Sequence, residues 1–280
     1  MTPYPHLSAA DSPRWHFFLG GRDLEMETIQ RLLQTCEVET ERIHDHGLSW
    51  GARASDYADQ IDQVLRSNGI PVLIELEPDL DLPNDRIIDI DHHGVRAGAT
   101  RPTSLEQVFK LLGCTSGSWT REFDLVAAND RGAIGALRSI GATEEEIKDI
   151  RARDRRAQGV SEEEEKEGEI AVAEAEAVAD GRLLIVRSTT DRTAPSCDRI
   201  ALAPVGEDLP AILVLGPGEV NFFGCGAAID RLRKIVTGPS WYGGALPAQG
   251  YWGAQRKAVE QAGGEAVIGD SLKQFYVGER

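Results

Sequence analysis

Ile87-Ile88-Asp89-Ile90-Asp91-His92-His93-Gly94 is the stretch on which the reading of this chain turns. Three β-branched isoleucines suit a buried strand, and turn signals flank them, Pro83-Asn84 before and Gly94 after. The strand ends in one acid and two adjacent imidazoles. In an open α/β sheet the carboxyl ends of the strands are where ligands bind. The plain alternative is a solvated turn that happens to hold two histidines.

The neighbouring sequence supplies the sheet. Trp15–Leu19 reads as a first strand, followed by Gly20-Gly21 and a helix with Met26, Ile29 and Leu33 at helical spacing. Thr40–His44 reads as a second strand and runs into Asp45-His46-Gly47; Ile61, Val64 and Leu65 mark a helix. Pro71–Leu76 is expected as the third strand, Arg86–Asp91 as the fourth and Phe123–Ala128 as the fifth. Thr103-x-x-Glu106 and Thr143-x-x-Glu146 are capping boxes that open helices. Strands alternating with helices predict an α/β fold with a mostly parallel N-terminal sheet.

From Thr143 the chain becomes strongly charged. The run Glu162-Glu-Glu-Glu-Lys-Glu reads as an exposed helix, continued through the Ala-rich residues 170–179. Beyond Gly181, Leu183–Val186, Ile200–Leu202 and Ile212–Leu215 read as strands, and Ala227–Val236 and Gln255–Ala262 as helices. The expected organisation is an N-terminal domain over 1–150, a charged helical linker over 151–180, and a smaller α/β domain over 181–280.

Composition narrows the function. The chain has 280 residues, 41% of them hydrophobic, and no apolar run approaches the roughly 20 residues that span a bilayer. Its start, Met1-Thr-Pro-Tyr-Pro-His, lacks the pattern of a signal peptide. Cys36, Cys114, Cys197 and Cys225 are widely spaced, which fits reduced thiols in a cytoplasm. Forty-six acids against 30 bases give a net charge of −16. Such a surface repels a long phosphate backbone, so the expected partner is a small phosphorylated substrate rather than DNA or RNA. Bound divalent cations invert that field locally.

Acids recur where a metal-dependent phosphoesterase needs them. Asp23 and Glu25 follow the first strand, Glu75 the third and Asp91-His92-His93 the fourth, while Asp130 follows the fifth. Carboxylates and imidazoles drawn from separate strands suit manganese or magnesium better than a soft metal. Glu77 and Asp79 rival Glu75, and His44-Asp45-His46 offers further ligands.

In this order of motifs over residues 15–132, followed by a helical segment and a smaller domain, the chain resembles the DHH phosphoesterase superfamily, which includes the RecJ exonucleases and nano-RNA phosphatases. Asp91-His92-His93-Gly94 and the later Thr103-Ser104-Leu-Glu-Gln carry the resemblance. It implies one or two Mn²⁺ or Mg²⁺ ions held by Asp23, Glu25, Glu75, His92 and Asp130, with Glu75 bridging. It further implies that His93 contacts the phosphate and protonates the leaving oxygen, while Asp91 orients a neighbouring histidine. Arg96 and Arg131 (and Arg22) are candidates to grip a phosphate oxygen. Gly243-Gly244, beside Trp241, Tyr242, Tyr251 and Trp252, stands where the family has a substrate-contacting Gly-rich segment, without its histidine.

The first motif diverges. Leu19 occupies the place of a family histidine, and Glu25 and Glu75 stand where aspartate is usual. The expected activity is hydrolysis of a small nucleotide-type phosphoester, such as a short oligonucleotide, cyclic dinucleotide or nucleoside bisphosphate. The alternative is a binding or regulatory protein derived from that family, with weakened chemistry.

Overall fold

The structure, a computed structural model, describes residues 14–92, 101–203, 209–244 and 246–278. The chain forms two compact units, 1–159 and 160–280, dividing inside the stretch read as a linker. Among the described residues no helix is long and apolar enough to cross a membrane.

The first unit is built on four parallel strands: β1 (Trp15–Phe18), β2 (Ile43–His44), β3 (Ile70–Ile74) and β4 (Ile88–Ile90). They lie in the order β2-β1-β3-β4, with Phe17 beside Val72 and Ile74 beside Ile90 in register. All five residues of β3 are buried, as expected of an apolar strand covered on both faces. On one side Phe18, Tyr57, Ile61, Val64 and Leu73 form a core with α2 (Ala58–Arg66). The other helices of the unit are α1 (Leu24–Thr35), α3 (Ser104–Leu111), α4 (Arg121–Ser139) and α5 (Glu144–Ala157), and α1 packs against the other three.

The strand order reverses between β1 and β3, so the crevice at their carboxyl ends is where such a sheet receives ligands. Gly20 keeps that crevice tight. A Cβ there would lie 2.7 Å from the Ile74 carbonyl oxygen and 2.8 Å from that of Glu75. Gly20→Ala is therefore expected to destabilise the unit by about 1–3 kcal/mol, read from denaturant unfolding.

Three sequence expectations are corrected. Phe123–Ala128 is not a strand but part of α4, whose cap Thr120 accepts a hydrogen bond from the Phe123 N–H. A short apolar run cannot by itself distinguish buried strand from buried helix, and this helix extends over 19 residues. Ile200–Leu202 likewise ends a helix, α7 (Ala194–Leu202), opened by Pro195 in its first turn. Residues 170–179 do not stay helical: α6 (Glu162–Ala173) stops, and β5 (Glu176–Val178) turns back through Ala179, Asp180 and Gly181, all at positive φ, to pair with β6 (Leu183–Arg187). Both capping boxes open helices as expected, at α3 and α5.

The second unit holds a six-stranded sheet in the order β5-β6-β7-β8-β10-β9, with β7 (Ala211–Leu215), β8 (Glu219–Gly224), β9 (Ser240–Gly243) and β10 (Gly250–Gln255). Among the described strands of this sheet only β6 and β7 pair in parallel. Alternate residues of these strands face opposite layers. Leu183, Leu213, Phe222 and Trp252 join a core with α8 (Gly226–Ile235), α9 (Arg256–Gln261) and α10 (Glu265–Gly278). Val186, Ile212 and Val214 join Ala171 of α6 and Ile200 of α7. Gly168 lets α6 approach closely, since a Cβ there would stand 2.5 Å from the Pro195 Cβ.

Candidate metal centre

Four side chains converge in the first unit. Glu25, Glu75, His92 and Asp130 each offer a ligand atom, and all four atoms lie within 4.8 Å of one another. The side chains are 0%, 10%, 6% and 10% exposed, respectively. Each arrives from a different element. Glu25 is the second residue of α1, Glu75 follows β3, His92 follows β4 by two residues, and Asp130 lies in α4.

His92 is the hub. Its Nε2 lies 3.7 Å from Glu25 Oε2 and 3.3 Å from Glu75 Oε1, and it is in close contact with Asp130 Oδ2. Burial works against its charge, but the neighbouring carboxylates of Asp130, Glu25 and Glu75 outweigh burial and push its pKa up to about 12. The nearby carboxyls are raised as well, which for an acid favours the neutral form. Burial, then the negative charge of Asp130, raises Glu25 well above the usual range. Asp23 rises to about 8, through burial first and then through Asp130 and Glu75. Such a site holds more negative charge than its protein environment neutralises.

The donors are held from behind. The first turn of α3 points into the cluster: the Leu105 N–H donates to Glu25 Oε1 at 2.9 Å, and Ser104 Oγ donates to Glu75 Oε1 at 2.7 Å. Free amides at a helix N-terminus favour anions. The Thr103–Glu106 capping box fixes that turn. One donor and one residue near another have left-handed or strained backbones: Glu75 at φ 53°, and Ala133 at φ 46°, ψ −137°, where α4 is interrupted three residues after Asp130. Non-glycine residues rarely adopt such angles, at a cost on the order of 1–3 kcal/mol each. Ala133→Gly is expected to raise thermal stability, by about 1 kcal/mol.

The cluster fits a divalent cation. Glu25 Oε2 is fully buried and makes no hydrogen bond, although it faces the His92 imidazole. A buried carboxylate oxygen left in that state is costly unless a cation or proton meets it. Three carboxylates and one imidazole form a donor set for Mn²⁺ or Mg²⁺. Among the described residues they supply one such group.

The other candidates fall as follows. Asp23 caps α1, accepting from the Met26 N–H at 2.8 Å, and lies outside the group of four. Glu77 and Asp79 are exposed, and Asp79 binds Ser55, so of the three rivals it is Glu75 that joins the cluster. Asp91 is buried, and its carbonyl oxygen accepts from Gln107 Nε2. His93 and Arg96 lie outside the described residues. Arg131 is engaged by Glu106 at 2.7 Å and Arg22 by Glu27 at 3.7 Å. His44 pairs with His16, Asp45 accepts from the Gly47 N–H, and His46 stacks on Tyr57, so none of this segment enters the cluster. Leu19 is 1% exposed and packs in the core.

In the second unit Gly243 ends β9 and Gly244 follows at φ 94°. The aromatic residues near them divide between core and surface. Trp252 is wholly buried, whereas Tyr242 and Tyr251 are exposed, with the Arg233 guanidinium 3.9 Å above the Tyr242 ring.

Two supports had no place in the sequence reading. Ser104 and the Leu105 amide were signalled by the capping box, which marks where unpaired amides point. A buried pair in α5, Arg151 and Asp154, had no signal, because its helix reads as uniformly charged.

No family model and no curated protein matches this sequence. Solved structures do. The DHH domain of a member of the s1p family of ribosomal proteins aligns over 96% of this chain and 88% of its own, at 13% identity and TM-score 0.52. RecJ of Thermus thermophilus, solved in complex with Mn²⁺ and in complex with Mg²⁺, aligns over 99% and 98% of this chain at 10% and 9% identity, each with TM-score 0.44. This chain spans about half of RecJ, 56% and 53% of the two structures. The class defined is therefore one of fold: the chain has the fold of a DHH-domain protein.

Proposed function

We propose that this chain is a divalent-cation-dependent phosphoesterase acting on a small phosphorylated substrate of nucleotide type. The observation that carries this reading is the buried group of Glu25, Glu75, His92 and Asp130, gathered at the carboxyl ends of parallel strands with one carboxylate oxygen that lacks a hydrogen bond. These four residues would hold the cation, Mn²⁺ or Mg²⁺. When bound, it supplies the Lewis acidity that a phosphoester needs for attack by water.

The chain's own groups do the rest. Ser104 and the Leu105 amide orient Glu75 and Glu25. His93 is assigned the protonation of the leaving oxygen, and Asp91 the orientation of a neighbouring histidine, as the family resemblance implies. Arg96, with Gly243-Gly244, is assigned to substrate contact on the same ground. The net charge of −16 favours a small substrate over a long nucleic acid. A cytoplasmic location, with the cysteines reduced, belongs to this reading.

One observation favours a second reading, a binding or regulatory protein with weak chemistry: buried Leu19 stands where the resemblance expects a histidine. The test is Mn²⁺ binding by calorimetry, with turnover measured on a short oligonucleotide, a cyclic dinucleotide, a nucleoside bisphosphate and pyrophosphate. Metal-dependent release of phosphate or nucleotide is expected. Tight Mn²⁺ binding with no turnover of any of them selects the second reading, and absence of Mn²⁺ binding overturns both.

A further inference from the structure

Behind the cluster lies a second polar group, made of residues other than the four donors. Arg151 and Asp154, both in α5, are 8% and 4% exposed, and Asn129 of α4 is 6% exposed. Arg151 Nη1 donates to Asn129 Oδ1 and to Asp154 Oδ2, each at 2.8 Å. Gln158 Nε2 donates to the same Asp154 oxygen at 3.2 Å. The other oxygen, Asp154 Oδ1, accepts from the Leu24 N–H at 3.2 Å.

The two ends of this chain of hydrogen bonds matter. Leu24 is the first residue of α1, between Asp23 and Glu25, and its N–H is one that a helix start leaves without an internal partner. Asn129 directly precedes Asp130. A single buried guanidinium and its carboxylate thus hold the backbone that carries Glu25 and the segment that carries Asp130. Those two donors are far apart in sequence, and neither α1 nor α4 fixes the other by local structure.

We propose that Arg151 and Asp154 are positioning residues, a clamp in α5 that sets the distance between Glu25 and Asp130 and so tunes cation affinity. The inference rests on the metal-dependent reading above. Stability alone accounts poorly for the arrangement. A buried ion pair gains little over apolar side chains of the same volume, whereas groups that orient metal ligands change affinity strongly.

The test replaces both charges at once, because Arg151→Met alone strands a buried carboxylate. In the full-length Arg151→Met/Asp154→Leu double variant, metal-free melting is expected near the wild-type temperature. Mn²⁺ affinity, followed by electron paramagnetic resonance of the free ion, is expected to weaken about 10–100-fold. Arg151→Lys keeps a cation able to reach both acceptors and is expected to recover most of that affinity. Wild-type Mn²⁺ binding in the double variant overturns the clamp and leaves the enzymatic reading intact. Should the double variant not fold, the wild-type protein decides: Mn²⁺ is expected to slow hydrogen exchange at the Leu24 amide, and an unchanged rate overturns the clamp. Failure of the wild type to bind Mn²⁺ removes both proposals, whereas binding without turnover removes only the enzymatic one.

Discussion

His92→Ala is expected to weaken Mn²⁺ binding and turnover by more than the roughly 100-fold typical of losing a residue behind the ligands. The imidazole lies within reach of all three carboxylates. Its removal deletes a donor and brings Glu25, Glu75 and Asp130 together with no nitrogen between them. Like charges buried at that spacing exclude one another, so the metal-free variant is also expected to melt lower than the wild type. His46→Ala is the matched control. That ring stacks on Tyr57 and meets Gln60 outside the cluster, so Mn²⁺ affinity should stay near the wild-type value. Calorimetric titration of the two variants side by side checks the prediction, and equal affinities would sink the assignment of His92.

The second large effect couples pH, cation and stability. Asp23 has its pKa raised from 3.8 to about 8, and Glu25 is raised well above 4.5. A carboxyl raised on folding binds its proton more tightly in the native state. Its contribution is complete below the unfolded value and is lost as pH climbs through the folded one. His92, raised from 6.5 to about 12, acts in the same direction over a higher window. The metal-free first unit is therefore expected to lose stability steadily as pH rises from about 4 to 8 and beyond. Mn²⁺ reverses the trend, since binding replaces those protons and strengthens as they leave. At a hundredfold excess over its dissociation constant the ion should add about 2.7 kcal/mol. Melting curves with and without Mn²⁺ across this range provide the measurement. A metal-free melting temperature that is flat or rises with pH would contradict it.

The sequence singles out the four residues that the fold brings together, but it misassigns the element that carries one of them. Asp91-His92 stands out because an apolar strand running into imidazole is readable from local pattern alone, whereas the same logic at the end of β3 leaves Glu75, Glu77 and Asp79 as rivals. The apolar pattern puts Asp130 at the end of a strand, whereas it sits inside α4. Leu125, Val126, Ala127 and Ala128 are continuous and apolar, and continuity is shared by buried strands and buried helices. Asp130 still joins the group of four, because a carboxylate can reach that point from a helix as well as from a strand end. The same ambiguity misread Ile200–Leu202.

What the chain determined unaided was its alternation of strand and helix, the two capped helices that follow it, and the acids that end its parallel strands. These are short-range matters, set by side-chain period, caps and turns. Which glutamate turns inward was decided only by tertiary structure. Glu75 adopts a left-handed backbone that puts it beside His92, while Glu77 lies two residues further along in solvent. Tertiary structure also placed the amide of Leu105 on Glu25 and the Asp154 carboxylate on the start of α1. Contacts across 80 and 130 residues leave no periodic trace, because burial and charge balance are settled only when distant segments meet.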